Sequence, residues 1–113
     1  MKDIKHSILG TIYSVLVGSR SELMLKDGLS GECRLYGKKL KICSDREDCT
    51  ERELRVKVQE IVAHEVFHAY INEAGIELEP EVEELLANFF MKNWRKMNNS
   101  ILDILDQSGF LDK

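Results

Sequence analysis

Proline occurs once in this chain of 113 residues, at Pro80, so proline-rich linkers and collagen-like repeats are excluded. Long apolar runs are missing too: no stretch approaches the roughly 18 consecutive apolar residues of a membrane span. Basic residues do not outnumber acidic ones. With 16 lysines and arginines against 20 aspartates and glutamates, the net charge is −4, and no overall positive field draws the chain onto nucleic-acid phosphates or anionic lipid. Neither nucleic acid nor membrane is therefore expected as its main partner. Cysteine is sparse and odd in number, with Cys33, Cys43 and Cys49 and no CxxC knuckle. Three cysteines in a chain long enough to bury a core read as buried thiols in a reducing compartment rather than a disulfide framework. A second metal site at Cys43 and Cys49 would lack a nearby histidine.

What remains is the composition of an ordinary soluble globule, 43% hydrophobic and 32% charged, at the length of one domain spanning 1–113. The start, "MKDIKH" followed by "SILGTIYSVLVGS", superficially copies a secretory signal. Asp3 in its charged part and Thr11, Tyr13 and Ser14 in its apolar part spoil the copy, and a cytoplasmic address is expected. "ILGTIYSVLVG", rich in β-branched residues, predicts a first strand ending near Gly18. "SRSELMLKDGLSG" predicts a short helical turn or irregular connection. "ECRLYGKKLKICS" alternates Cys33 and Leu35, then Leu40 and Ile42, about the turn "YGKK", predicting an antiparallel hairpin with Lys39 and Lys41 toward solvent. The sheet region is thus expected over about 6–43.

From Thr50 the apolar period changes from two to about 3.6, and Thr50 with Glu53 forms the capping box that starts helices. This predicts a helix over about 50–75, closed by Gly75, and Pro80 followed by Glu81, Glu83 and Glu84 predicts a second over about 80–97. Asn98 and Asn99 are expected to break that helix, leaving a short last one over about 100–108.

The first long helix contains HEVFH, residues 64–68. Shuffling this composition yields an HExxH in only roughly 0.6% of trials, so chance is a poor explanation. In mid-helix, His64 and His68 project from one face a turn apart, and both imidazoles can reach one zinc ion. Glu65, about 100° round from His64, is placed to touch a water on that metal rather than to ligate it. A catalytic zinc needs a third protein ligand, and Glu77, Glu79, Glu81, Glu83 and Glu84 all lie within reach if the second helix folds back.

HEVFH followed about sixteen residues later by "ELLANFF", 84–90, resembles the ImmA/IrrE family of small intracellular metallopeptidases common on phages and mobile elements. The resemblance spans roughly residues 8–97. It implies a minimal zincin-like α+β fold, with a small antiparallel sheet packed against the HExxH helix and a second ligand-bearing helix. It further implies a gluzincin hydrolase with His64, His68 and Glu84 as zinc ligands and Glu65 as catalytic base, while Glu81 and Glu83 stay open as substitutes for Glu84. Asn88, one turn after Glu84, is expected to orient His64 from outside the ligand shell. Tyr36, in the hairpin turn, is weighed as an oxyanion stabiliser against a half-buried strand aromatic. The expected activity is zinc-dependent hydrolysis of peptide bonds in a protein or peptide substrate, a regulator protein being one candidate. The competing expectation is a non-catalytic, zinc-stabilised interaction module.

Overall fold

The computed structural model of the chain describes residues 1–111, which form a four-stranded mixed sheet with helices on both faces, an α+β arrangement. "ILGTIYSVLVG" is not one strand but the bend of a hairpin. Strand β1, Lys2–Ile8, turns back through Leu9 and Gly10 into β2, Thr11–Gly18. Both turn residues have positive φ, 48° and 87°, which matches the right-handed twist of a two-residue hairpin and is available to glycine at little cost. Ser19 and Glu22 then form a reciprocal capping box on helix α1, Arg20–Leu23. Beyond it, β3, Gly31–Arg34, and β4, Lys39–Cys43, pair antiparallel as expected.

The expected antiparallel sheet is corrected at one ladder: the strand order is β1-β2-β4-β3, and β2 with β4 is parallel. The segment through α1 crosses over one face before β3 forms, so β4 returns into the centre of the sheet and leaves β3 at the edge. A central strand is covered twice. Leu40 and Ile42 of β4 are fully buried, Leu40 in a cluster with Ile8, Tyr13 and Ala69, while Cys43 packs on the opposite face with Leu23 and Leu25. Lys41 is buried as well, contrary to its expected exposure. Its ammonium donates to the Leu23 carbonyl at 2.7 Å, a group left without a partner at the end of α1, and Glu32 is 3.9 Å away. Of the three cysteines only Cys43 is fully buried; Cys33 and Cys49 are partly so, and all three are free thiols.

Helix α2, Glu51–Glu73, starts at Thr50 with both capping-box bonds made, Glu53 N to Thr50 Oγ1 at 3.2 Å and Thr50 N to Glu53 Oε1 at 3.0 Å. It ends before Gly75, whose φ of 70° lets the Ile76 amide close on the Ile71 carbonyl at 3.1 Å. Helix α3 begins at Pro80 and runs unbroken to Ser108, so the separate last helix over 100–108 does not exist. Asn98 and Asn99 lower helix propensity by less than about 0.7 kcal/mol each and leave every backbone bond in place, which is too little to end a helix.

The last residue of α2 pins it to the sheet. Glu73 accepts from Lys38 Nζ at 2.7 Å, Tyr13 OH at 2.8 Å and Thr11 Oγ1 at 2.9 Å, joining helix, β2 and the β3–β4 turn. The Lys38 ammonium, then Tyr13 and Thr11, hold the Glu73 carboxyl down at about 2, while burial and Glu73 push Tyr13 up to about 12. A depressed folded pKa adds stability that is complete above the ordinary 4.5 and is lost as pH falls toward 2. Glu73→Gln should therefore be less stable than wild type at neutral pH, and the gap should close over that window. Urea unfolding at stepped pH checks it, and a gap that does not vary with pH would show that the network acts by packing alone.

Candidate metal centre

Helices α2 and α3 lie antiparallel, tied by Arg95 Nη2 to Gln59 Oε1 at 2.7 Å, Lys92 Nζ to Glu60 Oε2 at 2.6 Å, and Phe67 stacked near Phe90 with centroids 5.5 Å apart. This alignment brings the first turns of α3 over the middle of α2. His64 and His68, four residues apart, present their rings edge to face with centroids 4.8 Å apart. The Glu84 carboxylate bridges them, with Oε1 2.7 Å from His64 Nε2 and Oε2 3.1 Å from His68 Nε2.

Ligand atoms of His64, His68 and Glu84 all lie within 4.8 Å of one another. Two imidazole nitrogens and one carboxylate are the donor types of a catalytic zinc site, and three protein donors leave a fourth position for water or substrate. The residues present fit that metal. The other ring nitrogens are held by further carboxylates, His64 Nδ1 by Glu65 Oε2 at 2.9 Å and His68 Nδ1 by Glu83 Oε2 at 2.5 Å. Such partners fix ring orientation, so that both Nε2 atoms face the same point. The Glu65 hydrogen bond raises His64 to about 9, opposed by burial and aided by Glu84.

Glu83 is the group the sequence reading missed. Turned about 100° from Glu84, it was expected to serve as a substitute ligand or a solvated side chain, but the rings span enough of α2 for neighbouring glutamates to reach different nitrogens. The only sequence signal was the adjacency of two carboxylates at 83 and 84. Asn88 differs from its expectation in the opposite sense. No hydrogen bond joins it to His64 among the described residues; Glu65 holds Nδ1, and Asn88 lines the neighbouring cleft. Glu81 is exposed. Tyr36, fully exposed in the β3–β4 turn, is not a half-buried strand aromatic, and Tyr70 is also solvent-exposed.

Glu65 is 6% exposed, an unusual position for a carboxylate. It packs under the first residue of β3, where a Cβ on Gly31 would stand 2.8 Å from Glu65 Oε2 and 2.8 Å from Ile61 Cγ2. Glycine at position 31 is what lets α2 lie this close to the edge strand, and that contact keeps Glu65 beside His64. Cys33, two residues along β3, stays a thiol: burial, then the charges of Glu65 and Glu83, push it up to about 12, and it does not join the donor set. A cleft of about 320 Å³ opens beside the site, bounded by Gly28–Gly31, by Lys57, Ile61, His64 and Glu65 on α2, and by Asn88 and Met91 on α3. Its volume is that of a small-molecule or side-chain pocket.

No helix among the described residues is long and apolar enough to cross a membrane. Compared with known proteins, the chain matches no family model, no curated protein and no solved structure.

Proposed function

We propose that this chain is a zinc-dependent metallopeptidase of the gluzincin type, hydrolysing peptide bonds of a protein substrate in the manner of the ImmA/IrrE family that its two helical motifs resemble. The observation that supports it is the convergence of His64, His68 and Glu84 donors within 4.8 Å, next to an open cleft lined by Glu65. Zinc bound there would supply Lewis acidity, activating a water and polarising a scissile carbonyl. The chain's own groups do the rest. Glu65 receives the proton of the attacking water and delivers it to the departing amine. Its Oε2 is engaged by His64 Nδ1, so Oε1 is the oxygen left for that transfer. Burial against Gly31 limits competition from bulk water for this carboxylate. Edge strand β3, starting at the cleft, offers unpaired backbone groups to an extended peptide, and the mixed apolar and charged lining would read its side chains.

The direct test is metal content. Purified protein should hold about one zinc per chain, and His64→Ala combined with His68→Ala should reduce it to background. Stoichiometric zinc in the double variant, measured by mass spectrometry of the metal, would overturn the assignment.

A further inference from the structure

The metal centre leaves the far side of α3 unexplained. Leu86, Phe89, Met97, Ile101 and Ile104 are each between 40% and 66% exposed, and with Asn93 they recur at spacings of three and four along the helix. That spacing builds a continuous seam of the kind that packs helix against helix. The seam is centred about 160° round α3 from Glu84 and Asn88, so covering it would leave the cleft open. Asn93 need not lose a partner by burial, since its Nδ2 donates to the Phe89 carbonyl at 2.9 Å. The pairing of Gln59 with Arg95 sets Glu51, the first residue of α2, opposite about residue 103. From there to Ser108, α3 runs on with no second helix beside it among the described residues.

The charges beside the seam say what covers it. Lys96 precedes its midpoint and Asp103 follows it, both toward the same flank. We propose that two copies of this chain associate through α3, antiparallel, about a two-fold axis near Asn99. That register sets Lys96 opposite the other copy's Asp103. It also sets Met97 against Ile101, and Trp94 against Ile104. In an antiparallel pair of helices each flank meets its own equivalent, so the Lys96 of each copy meets the Asp103 of the other. A parallel pair would align like charges at equal height and bring this flank against one without charged residues. Trp94 also borders an apolar groove of about 440 Å³ between α2 and α3, with Val58, Val62 and Val66 on its other wall. The other copy's Ile104 reaches its mouth. The association does not depend on whether the metal centre is catalytic.

Sedimentation equilibrium of the full chain tests this, using circular dichroism to confirm that each variant keeps its helix content. Wild type should sediment as a dimer at about 100 µM, a concentration that detects even micromolar association. Ile101→Glu, a change at an exposed position, should leave a folded monomer. Lys96→Glu sets two acidic groups against each other twice per dimer and should weaken association by about tenfold or more, and adding Asp103→Lys should restore it to within about threefold. A wild-type monomer at that concentration would overturn the proposal. So would a dimer that persists in Ile101→Glu, or a Lys96→Glu/Asp103→Lys pair no tighter than Lys96→Glu alone.

Discussion

Glutamine at position 84 should weaken zinc binding by more than about 100-fold, beyond the usual 10- to 100-fold range for losing a group that only supports a ligand. The reason is geometric. Glu84 alone touches both Nε2 atoms, at 2.7 and 3.1 Å, so its carboxylate stands where a metal shared by the two histidines must be met. Glu83→Gln keeps an oxygen able to accept from His68 Nδ1 but removes the charge that strengthens the bond, and should fall within the 10- to 100-fold range. Glu81→Gln, at an exposed site in the first turn of α3, should leave affinity unchanged and cost at most about 1 kcal/mol of stability through the helix dipole. Asn88→Ala should leave affinity close to wild type, because Glu65 already holds His64. Competition against a chromophoric chelator ranks all four. Full affinity in Glu84→Gln together with its loss in Glu83→Gln would mean that Glu83 is the ligand and that α3 is turned by one residue from the register described above.

Glu65→Gln should abolish hydrolysis while zinc stays bound. A general base contributes typically 10²- to 10⁴-fold, and glutamine cannot take a proton at any accessible pH. Glutamine has the size of glutamate, fits the same space under Gly31, and can still accept from His64 Nδ1, so the histidine should keep its orientation. The pairing of lost turnover with retained metal is what distinguishes a base from a positioning group. Comparing the peptides of cells that express wild type and Glu65→Gln should reveal cleavage products with wild type only. Identical peptide sets, with zinc bound in both, would favour the zinc-stabilised interaction module. Zinc lost from Glu65→Gln would instead make the His64 contact the main task of Glu65.

The helical half of the molecule is largely legible in the sequence. Thr50 and Glu53, Gly75 and Pro80 act through their own backbone neighbours, and each stands at the helix end its chemistry implies. The sheet was less legible. Alternation identified the β3–β4 hairpin, yet it carried no information on which strand β4 would adopt as its second neighbour, and Leu9–Gly10 was a weaker turn signal than "YGKK". Lys41 shows the same limit. Its outward place in the alternation is real, but that face of the sheet is covered by α1, and a carbonyl there receives the ammonium.

At the site, the i, i+4 spacing of His64 and His68 and the offset of Glu65 followed from the helix alone, because a helix sets the relative directions of residues a turn apart. Which glutamate on α3 meets which ring nitrogen could not follow from spacing. It depends on how α3 crosses α2 and how far it slides along it, and those are set by side chains distant from the motif: Phe67 on Phe90, Gln59 with Arg95, Glu60 with Lys92. Local sequence therefore determined the start of each long helix, the β3–β4 hairpin and the pair of histidines. Tertiary packing alone decided that Glu84 bridges them, that Glu83 holds His68, that Asn88 faces the cleft, and that β4 lies at the centre of the sheet. Each of these is a contact between residues far apart in the chain, whose relative placement no local periodicity encodes.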